Sequence, residues 1–106
     1  MNAERRKARR FELKARCWCE GPNCVLYVNI LNASTGGLFV KTSTPFHPGD
    51  PLKLRWRLPG NDTDSEATAV VAWRREHQPG AGMGARFTDL PPATKETLRR
   101  MEGAEG

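Results

Sequence analysis

Long apolar runs are missing from this sequence, which excludes the class of membrane proteins that cross the bilayer as helices. No stretch approaches the roughly 18 apolar residues of a spanning helix. The basic N-terminus is not followed by the apolar segment of a signal peptide. We therefore expect a cytoplasmic protein that does not contact a membrane.

Cysteine and histidine are rare, and their spacing matches no common site. The three cysteines, Cys17, Cys19 and Cys24, are odd in number and make a poor disulfide framework. Their spacing is not that of a zinc knuckle, and no histidine lies nearby to complete four ligands. His47 and His77 lie in predicted loops without a recognisable nucleophile partner. We expect free thiols, no metal, no cofactor and no enzymatic activity.

Basic residues exceed acidic ones only near the N-terminus, although the whole 106-residue chain has a net charge of +5. Residues 1–16 contain seven lysines and arginines against two glutamates. The remainder contains ten basic and ten acidic residues and is neutral. An anionic partner is therefore expected at the N-terminal end.

Apolar and polar residues alternate in six short stretches that end in turn residues, a pattern typical of β-strands. The clearest example has Leu52, Leu54, Trp56 and Leu58 alternating with basic residues. The links have hairpin length and contain no crossover helix, so we expect an all-β protein built as a six-stranded antiparallel barrel. The predicted strands span residues 11–19, 24–30, 37–42, 52–58, 67–73 and 83–87.

The three tryptophans differ in their predicted surroundings. Trp56 and Trp73 fall on the apolar faces of their strands, so we expect both in the core. Trp18 falls on the polar face of its strand, and its role stays open between packing and stacking on a base.

Only the C-terminus is predicted to be helical. Pro91 and Pro92 fit the first turn of a helix, and Leu98 and Met101 share one face. We therefore predict three parts of the chain. Residues 1–10 form a flexible basic arm, residues 11–102 form a barrel with a short C-terminal α-helix, and residues 103–106 form a disordered tail.

A run of arginines lies immediately before the first predicted strand, at Arg5, Arg6, Arg9 and Arg10. A guanidinium group can bind phosphate oxygens bidentately, pair with O6 and N7 of guanine, or stack on a base. Taken alone, such a run is more typical of a solvated tail or a nonspecific polyanion binder.

A polar turn, Asn32–Gly37, separates the second and third predicted strands. Asn32 and Ser34 can donate and accept hydrogen bonds, and the paired glycines Gly36 and Gly37 allow close approach of a ligand. Taken alone, the segment is more typical of a plain turn with a local side-chain hydrogen bond.

The two segments together form a pattern of higher specificity. Arg5, Arg6 and Arg10 form R-R-x-x-x-R, and 22 residues after Arg10 the turn supplies N-x-S-x-x-G. This combination resembles the PilZ domain family. The resemblance spans roughly residues 5–102 and includes Pro48-Gly49-Asp50, Val71-Ala72-Trp73 and Gly82-Met83-Gly84-Ala85-Arg86-Phe87.

The resemblance to PilZ domains implies a barrel that binds the bacterial second messenger cyclic di-GMP, often as a stacked pair of molecules, with the arginine arm folded over the ligand. It implies that Arg5, Arg6 and Arg10 contact phosphates and guanine edges. By the same resemblance, the floor of the ligand site on the barrel side is formed by Asn32, Ser34 and Gly37. Arg9 and Gly36 are secondary candidates.

Asn32 occupies the motif position where aspartate is the commoner residue. An asparagine keeps one acceptor oxygen for guanine but loses the charge. Hydrogen bonds to charged groups contribute about 1.5–3 kcal/mol against roughly 1 kcal/mol for neutral ones, so we expect weaker binding rather than none.

The sequence therefore predicts a receptor whose N-terminal arm changes conformation on binding cyclic di-GMP and signals to a separate downstream protein. We expect a monomer or weak dimer. One alternative is an adaptor of the same fold that binds protein but no nucleotide. The other is a small barrel that binds RNA or single-stranded DNA nonspecifically, which we regard as less favoured.

Overall fold

A computed structural model describes residues 10–58, 61–77 and 80–105, and in these ranges the chain forms six antiparallel strands and one helix. The strands close into a barrel in the order β1-β2-β3-β6-β5-β4, with β4 paired to β1. The predicted all-β barrel with a C-terminal helix is confirmed. The elements are β1 (Phe11–Glu20), β2 (Val25–Ala33), β3 (Gly37–Lys41), β4 (Pro51–Trp56), β5 (Ser65–Arg75), β6 (Gly82–Asp89) and α1 (Pro92–Glu105).

The barrel interior is filled by the apolar residues of each alternating strand. In β1, Phe11, Leu13, Cys17 and Cys19 are buried, and the residues between them are mostly exposed. Burial in this apolar interior raises the pKa of both thiols to about 12, so they stay protonated at neutral pH. Cys24 is exposed, and all three cysteines are free.

The helix α1 packs beside β1 and β5, and its apolar face joins the barrel core. Leu98 is fully buried in the core, and Met101 packs against it. The first turn is fastened by Thr94, whose hydroxyl donates to the Glu66 carbonyl at 2.9 Å and accepts from the Glu66 N–H at 3.2 Å. Residue Thr94 is itself buried, so these bonds fix where the helix leaves the barrel.

The helix extends to Glu105, into the segment 103–106 that we predicted as a tail. Gly103 lowers helix stability by about 1 kcal/mol relative to alanine, and the helix continues through it. Of the predicted arm, residues 1–9 lie outside the described residues.

The prediction for Trp56 is confirmed, and the prediction for Trp73 is wrong. Trp56 is buried, whereas 42% of Trp73 is exposed. Val71 pairs with Ala85 and Trp73 with Gly84, so β5 advances two residues while β6 advances one. This bulge shifts the alternation by one residue and turns Trp73 to the outside of the barrel.

Candidate ligand-binding site

The binding turn, defined as Asn32–Gly37, joins β2 to β3 and is held by hydrogen bonds within itself. The Ser34 N–H donates to the Gly37 carbonyl at 2.8 Å, and the Gly36 N–H donates to the Ser34 hydroxyl at 3.0 Å. The Phe87 N–H donates to the Gly36 carbonyl at 2.9 Å and ties the turn to β6. Ser34 is buried, so its hydroxyl shapes the turn.

Gly37 is required by the close approach of β3 to β6. A Cβ atom at this position would lie 2.1 Å from the carbonyl oxygen of Ala85. That oxygen belongs to the backbone of the neighbouring strand and cannot rotate away. The fold itself therefore accounts for the last glycine of the N-x-S-x-x-G pattern.

The two halves of the sequence motif meet in one hydrogen bond. Nη1 of Arg10 donates to Oδ1 of Asn32 at 2.6 Å, across 22 residues of chain. Arg10 is exposed, and it immediately precedes β1, which pairs with β2. Arg5, Arg6 and Arg9 lie outside the described residues, so their contribution stays a prediction.

Two β-bulges place Asn32 and Trp73 on the same outer surface. Between Ile30 and Asn32 the register against β3 shifts by one residue, as it does between Val71 and Trp73 against β6. Ile30 and Val71 point into the core, and without the bulges Asn32 and Trp73 would point inward as well. The bulges re-aim both side chains outward.

An outer row of side chains runs across four strands from the motif to β5. Asn32 pairs with Phe39, Phe39 with Gly84, and Gly84 with Trp73, so all four positions face the same side. The Phe39 and Trp73 rings stack with centroids 5.2 Å apart and an interplanar angle of 16°. The Arg75 guanidinium lies 5.7 Å from the Trp73 ring centroid and 5.9 Å from that of Phe39.

Two glycines of β6 make room for these rings. A Cβ atom on Gly84 would lie 2.4 Å from the indole nitrogen of Trp73. A Cβ atom on Gly82 would lie 2.6 Å from the Phe39 ring. The sequence analysis missed the stack of the Phe39 and Trp73 rings because the bulge in β5 leaves no mark in the alternation of apolar and polar residues. The alternating glycines of β6 were the available signal that large side chains lie over that strand.

The binding turn is also connected to the C-terminal helix. The Thr35 N–H donates to Oε2 of Glu102 at 2.6 Å, across 67 residues of chain. The bond is partly buried and joins the middle of the turn to the end of α1. A displacement of the turn would therefore act on the helix.

The described parts of the chain contain neither a metal-type cluster nor a membrane-spanning helix. No group of three or more histidine, cysteine, aspartate or glutamate side chains is suited to hold a metal ion in residues 10–58, 61–77 and 80–105. Within the same ranges, no helix is both long and apolar enough to cross a bilayer.

The family model of the PilZ domain matches residues 4–102, nearly the whole chain. The chain belongs to the PilZ family. The PilZ family is a family of cyclic di-GMP receptors. The matched span of this PilZ domain contains the barrel, the binding turn and the arginine run. No curated protein matches the sequence of this PilZ domain.

Solved PilZ structures share the fold at low sequence identity. The Bacillus subtilis inhibitor of motility MotI/DgrA is similar with a TM-score of 0.79 and 20% identity, over 94% of this chain and 50% of that chain. The present PilZ domain therefore spans half the length of MotI.

Two further structures contain the PilZ domain alone or nearly so. The Escherichia coli YcgR PilZ domain, solved with c-di-GMP, gives a TM-score of 0.68 and 16% identity, over 94% of this chain and 90% of that chain. The PilZ domain of CeSA from a cellulose synthesizing bacterium gives a TM-score of 0.66 and 16% identity, over 92% of this chain and 99% of that chain. These likenesses establish the fold.

Proposed function

We propose that this PilZ protein is a receptor for cyclic di-GMP that signals to a separate downstream protein. The observation that carries the proposal is the hydrogen bond between Arg10 and Asn32, which brings the arginine half and the turn half of the motif together. In this proposal Arg5 and Arg6 add contacts from the arm, with Arg9 secondary.

The chemistry of Arg10 and Asn32 suits the two parts of a cyclic di-guanylate. The guanidinium fork can bind a phosphate bidentately or pair with O6 and N7 of guanine. The asparagine oxygen can accept from guanine N1–H or N2–H, once its bond to Arg10 is shared or exchanged. Ser34, Gly36 and Gly37 support the site chiefly by holding the turn, and we propose that the ligand packs against their backbone.

The outer row adds a surface on which a base can stack. Trp73 is partly exposed, and Arg75 carries a positive charge beside its ring. Base–aromatic stacking contributes about 1–3 kcal/mol per base. We propose that a guanine extends from Asn32 towards Trp73, with the phosphates directed to Arg10 and the arm.

Signalling is proposed to use two connected elements. The arm changes conformation when its arginines close on the ligand, which alters the surface presented at the N-terminal end. The bond from Thr35 to Glu102 supplies a second route, because a ligand that shifts the binding turn also shifts the end of α1. A downstream protein would read either change.

The test is an isothermal titration with cyclic di-GMP at physiological salt, comparing wild type with Arg10→Ala. The matched control is Arg100→Ala, which removes an equally charged group that is 72% exposed on α1. We expect saturable binding in wild type and control, and loss of at least ten-fold in affinity for Arg10→Ala. Circular dichroism verifies that each variant is folded.

Competition distinguishes the proposal from its alternatives. Cyclic di-AMP and linear guanine dinucleotides should compete poorly, because base-edge contacts discriminate where phosphate contacts do not. Absence of binding by folded wild type would refute the receptor function and favour a protein adaptor. Binding of single-stranded RNA that collapses with salt would favour the nucleic-acid alternative.

A further inference from the structure

An exposed groove crosses β2, β1 and β4 at the opposite end of β1 from Arg10. Eight residues separate Arg10 from Trp18, which corresponds to roughly 25 Å along an extended strand. The groove has a volume of about 440 Å³. We call it the aromatic–arginine groove and define it by Arg16, Trp18, Tyr27, Arg55, Arg57 and Asp64, which all line it.

Two large aromatic side chains are exposed here. Trp18 is 42% exposed and Tyr27 is 59% exposed, although they are direct cross-strand partners. Their ring centroids are 6.4 Å apart at an interplanar angle of 58°, so the rings tilt against each other and still face solvent. Tryptophan, tyrosine and arginine are the residues that most often dominate the binding energy of protein interfaces.

Two arginines are already positioned by these rings. The Arg16 guanidinium lies 4.2 Å from the Tyr27 ring centroid, and that of Arg55 lies 5.8 Å from the Trp18 centroid. A stacked guanidinium keeps its N–H edge available for a carboxylate. Because the side chains are partly ordered beforehand, less conformational entropy is lost when a partner binds.

The groove has a net positive charge. It contains three guanidinium groups and one carboxylate, Asp64, which lies 2.9 Å from Nε of Arg57 and 3.9 Å from Nε of Arg55. Among the described residues, no carboxylate lies within 4.0 Å of Arg16. The groove therefore has unused positive charge beside exposed aromatic rings.

The surface on the other side of Trp18 is mixed in charge. There Glu20, Glu66 and Asp89 alternate with Lys53 and Arg55. A nucleic-acid strand needs cations that follow several successive phosphates, and these carboxylates interrupt such a path. A short acidic peptide needs only the single groove.

We propose that the aromatic–arginine groove binds an acidic segment of a partner protein. Apolar or aromatic side chains of that segment pack on Trp18 and Tyr27, and its carboxylates pair with Arg16 and Arg55. Because the groove lies far from Arg10 and Asn32, binding of the segment does not require cyclic di-GMP.

The experiment is selection of random 12-residue peptides displayed on phage against the immobilised full-length protein, followed by measurement of affinity for the recovered peptides. We expect recovered sequences enriched in aspartate and glutamate. Trp18→Ala and, separately, the more conservative Arg16→Gln should each weaken binding at least five-fold. The matched control is Arg100→Gln, which removes a guanidinium group that is 72% exposed on α1, outside the groove, and should leave affinity unchanged.

Three results would overturn the proposal. The first is recovery of no binding peptides, or of peptides without an acidic excess. The second is unchanged peptide affinity in folded Trp18→Ala and Arg16→Gln. The third is displacement of the peptides by a 12-nucleotide single-stranded RNA that binds more tightly, which would assign the groove to nucleic acid.

Discussion

Replacing Gly37 by alanine tests whether this motif glycine serves the fold. The added Cβ atom would lie 2.1 Å from the Ala85 carbonyl oxygen, 1.3 Å short of the 3.4 Å at which ordinary contact begins. It would also lie 3.1 Å from the Ala85 carbonyl carbon. Relief requires β3 and β6 to separate, because all these atoms belong to the backbone.

The expected loss of stability has two sources. Inserting a methyl group where there is no space costs about 1–3 kcal/mol. Separation of the strands weakens one or two backbone hydrogen bonds between β3 and β6, each contributing about 0.5–1.5 kcal/mol. We therefore expect Gly37→Ala to lower the free energy of unfolding by about 2–4 kcal/mol, a large part of the 5–15 kcal/mol typical of a domain.

Urea unfolding followed by circular dichroism measures this loss. With a slope of about 1–3 kcal/mol/M, the midpoint should fall by roughly 1 M or more. The control is Gly103→Ala on α1, where the new Cβ meets nothing within 4 Å. That change should leave stability unchanged or raise it by about 0.5–1 kcal/mol, because alanine favours the helix.

The reasoning would be refuted if Gly37→Ala unfolded within about 0.5 kcal/mol of wild type, the range of ordinary surface substitutions. The prediction also affects how binding data are interpreted. Loss of ligand binding in Gly37→Ala would follow from a distorted turn, and it would not by itself demonstrate contact with the ligand.

Three further predictions concern the motif, the helix and the thiols. Asn32→Asp should raise cyclic di-GMP affinity about five-fold, from the roughly 1 kcal/mol gained by a charged acceptor, and calorimetry showing no change would contradict the role of this position. Glu102→Ala should speed amide hydrogen exchange at Thr35 without affecting the barrel strands, whereas Glu96→Ala should not; equal protection in all three proteins would exclude the contact. Native protein at pH 8 should react with one equivalent of thiol reagent, at Cys24, and urea-unfolded protein with three. The pKa of the two buried thiols is raised from 9.0 to about 12, so these thiols ionise at lower pH in the unfolded protein than in the folded protein. We therefore expect the free energy of unfolding to fall between pH 9 and about 12. Below pH 9 these two groups should cause no pH dependence of stability.

The strand pattern was available from the sequence because burial inside a barrel imposes a period of two on each strand. All six predicted strands begin within two residues of the observed strands by this rule alone. The motif residues were available as well, since R-R-x-x-x-R and N-x-S-x-x-G are local in sequence. Their meeting required the pairing of β1 with β2, which carries Arg10 to Asn32.

The sequence by itself thus determined the barrel, the family and the residue types of the site, because each depends on short-range patterns. Only the tertiary structure decided which way Asn32 and Trp73 point, since one extra residue in β2 and one in β5 invert the alternation beyond them. It alone also brought Glu102 to Thr35, across 67 residues. Such contacts depend on strand register and helix docking, which are set by the packing of the whole barrel and leave no local pattern in the chain.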